Sequence, residues 1–183
     1  MTKHGPWTIV TSQEVYRDPW IALRRDEVIR PDGRPGTHCV VNLKPGVSVL
    51  PIDDHGFAYL TEEFHYGVGR DTIEVVSGGI DPGEDAEQTA RRELAEELGI
   101  VAGRLTDLGT VDPFTSVVVS PTRLFLAEEL TFAEARPEGT ELIRARKFEF
   151  AEVVRMVLDG RITHAPSGVL ILKAALVRSL RGA

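Results

Sequence analysis

One stretch constrains this chain more than any other. Residues 78–100 read GGIDPGEDAEQTARRELAEELGI, and the residue pattern turns there from strand-like to helical. From Asp85 onward Ala86, Ala90, Leu94 and Leu98 recur at every fourth position, and Gly99 supplies a stop. Beside that apolar stripe, Glu93 and Glu97 lie about 40° apart around the helix axis, with Glu96 about 60° to the other side of Glu93. Three carboxylates therefore share one helix edge. Like charges so spaced cost a helix roughly 0.2–0.5 kcal/mol per pair. Bound Mg²⁺ or Mn²⁺ would reverse that repulsion, because both favour hard oxygen ligands. Arg92, one turn before Glu96, is placed to orient it by a charge-assisted hydrogen bond. The plain alternative is a solvated acidic face, the usual state of such a helix edge.

The segments on either side of this helix set the fold class. Residues 7–16 and 20–29 are rich in β-branched and aromatic side chains, separated by Arg17-Asp18-Pro19, and Pro31-Asp32-Gly33 forms a turn. Residues 38–43, 47–52, 57–64 and 73–76 continue as strands, with Asp53-Asp54-His55-Gly56 as a hairpin turn. After the helix, residues 105–111, 123–127 and 142–150 read as strands and 132–140 as a loop. Residues 151–158 and 169–180 read as helices, separated by Gly160 and Pro166. Strands, a helix, more strands and then helices imply an α/β (α+β) protein, a mixed sheet sandwiched by helices. We read residues 1–46 as an N-terminal antiparallel β-region and 47–183 as the main domain.

A chain of 183 residues can bury roughly 70% of its unfolded surface. With 28 acidic and 21 basic residues its net charge is −7, which gives no cationic footprint for nucleic acid or an anionic membrane. Cys39, the only cysteine, fits a reducing compartment. The first residues hold no apolar segment behind Lys3, and no run approaches the ~18 apolar residues of a membrane span, so a cytoplasmic protein is expected.

Spacing separates the two readings of the acidic helix. Gly78, Glu84, Arg92, Glu93, Leu94, Glu96, Glu97, Gly99 and Ile100 occupy all nine specified positions of the Nudix box within 23 residues. The chain therefore resembles the Nudix hydrolases. That resemblance implies an α/β/α sandwich and hydrolysis of a phosphoanhydride bond in a nucleoside diphosphate linked to another moiety. It implies Glu93, Glu96 and Glu97 as magnesium ligands, with the backbone carbonyl of Ser77 completing the set. Glu84 and Arg92 would brace them.

Within the family, nearly the whole chain resembles the ADP-ribose pyrophosphatase branch, whose amino-terminal β-region commonly serves a homodimer. The resemblance implies ADP-ribose as substrate, cleaved to AMP and ribose 5-phosphate, with GDP-mannose or another sugar nucleotide as the alternative. Pro113, 14 residues after Gly99, lies where a proline accompanies ADP-ribose specificity. The branch usually carries Gln-Tyr-Arg near the end of its early strand, with the arginine on substrate, whereas this chain has Glu63-Phe64-His65. His65 is thus a candidate substrate contact, and Trp7, Trp20 and Phe64 are candidates to stack on a base or to pack in a core. Gly67-Val68-Gly69 is too short for a phosphate loop and reads as a turn, with Arg70 beside it as a further candidate contact. By the same resemblance the water-activating base is Glu141, with Glu138 second. His164 reads as a cap or surface histidine, and Glu128, Glu129 and Glu134 as solvated. A triphosphate substrate is disfavoured by the amino-terminal β-region, and a catalytically inactive nucleotide-binding module by the complete box.

Overall fold

Two apolar runs, residues 47–52 and 122–127, become neighbouring strands because both must be covered on two faces. In the computed structural model, which describes residues 1–136 and 142–181, the elements are β1 (Thr2–His4), β2 (Trp7–Arg17), β3 (Ile21–Ile29), β4 (Pro35–Leu43), β5 (Gly46–Pro51), β6 (Phe57–His65), β7 (Arg70–Glu74), β8 (Val76–Gly79), α1 (Ala86–Leu98), β9 (Ile100–Val111), β10 (Val118–Val119), β11 (Thr122–Phe132), β12 (Arg144–Glu149), α2 (Phe150–Leu158) and α3 (Ala165–Arg181). They form two units, Met1–Pro45 with Asp112–Pro121, and Gly46–Val111 with Thr122–Ala183. The segment Asp112–Pro121 thus joins the smaller unit, an association that a single cut at residue 46 does not contain.

In the larger unit, β8-β5-β11-β9 form a mixed sheet in which β5 and β11 are parallel, and β12-β6-β7 form an antiparallel sheet. Side chains alternate along β11. Leu124 and Leu126 join a core with Leu50, Leu60, Val153, Met156 and Leu170. Phe125 and Ala127 join a second with Val47, Val49, Val76, Ala90 and Leu94. Helices α2 and α3 therefore cover one face and α1 the other, the sandwich expected from the element order.

Helix α1 starts where local chemistry dictates. Asp85 accepts from Gln88 N at 2.8 Å, and the Gln88 side chain accepts from Asp85 N at 2.9 Å, a reciprocal capping box. Gly99 ends the helix at φ 62°, and a Cβ there would stand 2.3 Å from the Ala133 carbonyl oxygen, so the position needs glycine twice over.

Several expectations need correction. Residues 73–76 do not form one strand: β7 pairs with β6 and β8 with β5, and the chain changes sheets at Val75, whose N–H donates to Ser167 Oγ at 3.1 Å. Helix α3 starts at Ala165, with Pro166 inside its first turn, where no N–H is needed from it. His164 is at the cap as expected, its carbonyl accepting from Gly168 N at 3.0 Å. Glu128 is buried instead of solvated and pairs with Arg104 and Arg178.

The smaller unit is the meander β1-β2-β3-β4, antiparallel throughout, with β10 added parallel to β4 through Val118 opposite Val41. The 31–33 turn forms as expected, with Gly33 at φ 79° and Asp32 Oδ1 accepting from Arg34 N at 3.0 Å. Its buried residues are Val28 and Asp26. Among the described residues no helix is long and apolar enough to cross a membrane.

Candidate active site on helix α1

Strand β8 and helix α1 bring the box residues together around one guanidinium. Arg92 Nε lies 3.0 Å from Glu84 Oε1, and Arg92 Nη2 lies 3.1 Å from Glu84 Oε2. On its other side Nη1 meets Glu93 Oε1 and Glu96 Oε2, each at 2.9 Å. Nη2 also donates to the Gly79 carbonyl at 3.3 Å, which ties the cluster to the end of β8. Two oxygens that touch one nitrogen are no more than twice that distance apart, so Glu93 and Glu96 converge on a single positive charge. Arg92 thus does more than orient Glu96, the one partner assigned to it from helix spacing.

Glu84 is anchored independently by Thr89 Oγ1 at 2.9 Å, and Thr89 is fully buried. The Arg92 guanidinium, and after it the Thr89 hydroxyl, hold the Glu84 carboxyl below its ordinary 4.5, while Glu84 above all raises Arg92. Thr89 was not among the sequence candidates. Its signal was available, since residue 89 lies one turn ahead of Arg92 and Glu93.

Glu93 is pressed against the backbone of the first box glycine. A Cβ at Gly78 would stand 1.8 Å from Glu93 Oε1, so a side chain at Gly78 would displace that carboxylate. Glu97 lies on the same helix and is only 9% exposed. Ser77, on β8 beside Gly78, exchanges a hydrogen bond with Ser48 Oγ at 2.9 Å.

The remaining candidates fall elsewhere. His65 and Arg70 face each other at the end of the β6–β7 pair. His65 Nε2 is 3.3 Å from Glu74 Oε1, and Arg70 Nη2 donates to Thr163 Oγ1 at 2.9 Å. Phe64 is exposed on β6. Trp20 belongs to the smaller unit, is 67% exposed, and carries Lys44 Nζ 5.7 Å from its ring centroid. Glu138 and Glu141 lie outside the described residues.

Comparison with known proteins agrees with this geometry. Residues 42–167 match the NUDIX domain family, and residues 7–41 match the nucleoside diphosphate sugar hydrolase N-terminal domain. The chain is 33% identical to an ADP-ribose pyrophosphatase of Mycobacterium tuberculosis, over 95% of this chain and 86% of that one. The chain belongs to the Nudix hydrolases. An ADP-ribose pyrophosphatase of Bacillus subtilis is 29% identical over 84% of this chain and 80% of its own. The crystal structure of an ADP compounds hydrolase superposes with a TM-score of 0.86, covering 100% of this Nudix hydrolase and 99% of that chain at 21% identity, which shows the shared fold.

Nudix hydrolases use divalent metal ions, and the donors on α1 suit one. They are hard carboxylate oxygens, two of which, on Glu93 and Glu96, already meet at one Arg92 nitrogen, with a glycine backbone at the edge of Glu93. Among the described residues no three His, Cys, Asp or Glu side chains already surround a common centre. Arg92 supplies the positive charge between Glu93 and Glu96 in this arrangement.

Proposed function

We propose that this Nudix hydrolase cleaves the phosphoanhydride bond of ADP-ribose to AMP and ribose 5-phosphate. The observation that carries the substrate is the match to the Mycobacterium tuberculosis ADP-ribose pyrophosphatase, which runs through both units. In this reading Mg²⁺ is held by Glu93, Glu96, Glu97 and the Ser77 carbonyl. When bound, it neutralises the diphosphate and lowers the pKa of water. Arg92 then keeps Glu93 and Glu96 turned toward one point, and Glu84, itself held by Thr89, fixes the guanidinium. Water adds its oxygen to one phosphorus while the bridging P–O bond breaks, and the other phosphate leaves with the electron pair. Glu141 takes the water's proton, with Glu138 as its substitute. The box carboxylates are poor bases for this step because ligation removes their basicity. His65, Phe64, Trp20 and Arg70 are the proposed contacts to the rest of the substrate.

We place the enzyme in the cytoplasm, in keeping with its single cysteine, and read it as a homodimer joined through the region before Val47. The exposed Val15, Tyr16 and Trp20 of that region support the dimer. One assay tests the reaction. The protein is incubated with ADP-ribose, GDP-mannose and ATP in Mg²⁺, and products are separated by chromatography. AMP and ribose 5-phosphate from ADP-ribose, formed fastest of the three, is the expected outcome. Faster turnover of GDP-mannose or ATP would overturn the substrate.

A further inference from the structure

The last box glycine keeps space for another part of the chain. Beyond β11, Ala133 N donates to the Gly99 carbonyl at 2.7 Å, and Arg136 N donates to the Glu96 carbonyl at 2.9 Å. A Cβ on Gly99 would meet Ala135 N at 2.8 Å, so residues 133–136 lie directly on the end of α1. That end is electrostatically unfavourable by itself. It is the negative pole of the helix, it carries Glu96 and Glu97, and α1 has no basic residue in its last turn. Arg136 is the cation that the fold brings there, and its side chain is exposed. Its guanidinium is also uncommitted. Among the described side chains of the larger unit, every other arginine except Arg70 pairs with a carboxylate. Arg70 belongs to β7 and donates to Thr163.

We propose that Arg136 is a further catalytic residue, its guanidinium donating to the diphosphate oxygens of the substrate beside Glu96 and Glu97. This deepens the proposed function and rests on it, since the diphosphate must sit at α1. Charge balance selects the role. Arg92 is already engaged by Glu84, Glu93 and Glu96. A diphosphate brings more negative charge to this acidic edge, so the cations that receive it must come from outside the box. A bound metal is one. A guanidinium with free N–H groups is the other, because its planar fork meets two phosphate oxygens at once. As the bridging P–O bond breaks, charge gathers on the departing phosphate. A donor placed there acts more strongly on the transition state than on bound substrate. A plain helix-capping role would use the same cation differently: it would stabilise α1 through the negative pole and leave the substrate untouched.

The test uses the full chain as wild type, Arg136→Ala, Arg136→Lys and Glu93→Gln. Each is titrated calorimetrically with methylenediphosphonate in excess Mg²⁺, and each is assayed on the fastest substrate of the chromatographic panel. Arg136→Ala should lower kcat about 100-fold, the usual loss when one donor to developing charge is removed. It should also weaken methylenediphosphonate at least about tenfold, as expected for a hydrogen bond between charged groups, with a melting temperature near wild type. Arg136→Lys should recover part of both, since it keeps the charge and loses the fork. Added guanidinium ion should restore turnover to Arg136→Ala and none to Glu93→Gln. Wild-type kcat in Arg136→Ala, beside an inactive Glu93→Gln, overturns this proposal and leaves the site on α1 standing. A fully active Glu93→Gln overturns that site and the proposal with it. A lowered melting temperature with unchanged methylenediphosphonate affinity assigns Arg136 to the helix end alone and overturns the proposal as well.

Discussion

The two units are built from the same kind of strand and differ in what the strands enclose. Along β11, alternate side chains enter two separate cores, one with α2 and α3 and one with α1. Along β2 and β3 only Val28 and Asp26 are buried, while Val10, Val15 and Tyr16 of β2 and Trp20 of the turn between the strands are exposed. A sheet therefore becomes self-sufficient only when something covers its apolar face. The larger unit supplies that cover from its own helices, while the smaller one has no helix at all. The division extends to chemistry. The Arg92 cluster needs a rigid helix packed on a closed core, whereas the smaller unit offers exposed rings.

The largest expected effect tests that difference in cores. Leu124→Ala, in the closed core, should lower the free energy of unfolding by about 2–5 kcal/mol. Val10→Ser, 39% exposed on β2, should change it by less than about 0.5 kcal/mol. Urea denaturation of both variants measures this. Similar losses in the two would mean that the smaller unit is packed as tightly as the larger.

Next comes the chemistry. Glu93→Gln should lower kcat by more than about 100-fold, beyond the 10–100-fold typical of groups that only brace a ligand. The denaturation midpoint should stay near wild type, because Arg92 keeps Glu84 and Glu96 as partners. Trp20→Ala, in the smaller unit, should instead raise KM and leave kcat near wild type. A wild-type kcat in Glu93→Gln would remove the metal site from α1.

A smaller effect concerns how the exposed strands are covered. If two copies cover each other, folding is linked to association, and tenfold dilution should cost about 1.4 kcal/mol of apparent stability per dimer. The melting temperature would then fall as the protein is diluted. A monomer in sedimentation at micromolar concentration, with a melting temperature independent of dilution, would show that the smaller unit stands without a second copy.

What could be read from sequence follows the same division. Helix α1 and its carboxylates were legible because their geometry is local: a four-residue repeat, a glycine stop and fixed angles around one axis. The convergence on Arg92 was legible only in part. Spacing along the helix pointed to Glu96, but Glu84 lies in the preceding loop, and its approach depends on how that loop folds back. The break at Val75 was hidden because Thr72 to Val76 reads as one uninterrupted strand, and the partner that ends it, Ser167, is 92 residues away. Strand β10 was hidden for a similar reason. Two residues carry no pattern, and their pairing with Val41 and Asn42 is set wholly by tertiary structure. Pro166 was read as an interruption because its effect depends on position. It breaks a helix interior and is harmless in a first turn.

The smallest effect separates buried from exposed carboxylates. In the smaller unit Asp32 is exposed, and its carboxyl is lowered chiefly by hydrogen bonds from Arg34. In the larger unit Glu74 has a side chain only 14% exposed, set between His164 Nδ1 at 3.0 Å and His65 Nε2 at 3.3 Å. Thr72 Oγ1 donates to it at 2.6 Å. Burial works to raise the Glu74 carboxyl, and the hydrogen bonds from His164 and Thr72 overcome it, so it titrates below the ordinary 4.5. A carboxyl with a folded value below its unfolded one binds fewer protons when folded. Its stabilisation is complete above the unfolded value and disappears as pH falls through the folded one. Wild-type protein should therefore lose stability progressively below about pH 4.5, and part of that slope belongs to Glu74. Glu74→Gln should melt lower than wild type at pH 7 and show a flatter decline from pH 5 to pH 3, whereas Asp32→Asn should leave the slope nearly unchanged. Melting curves across that range decide the matter. Identical slopes for wild type and Glu74→Gln would mean that the two histidines do not hold the carboxylate in its charged form.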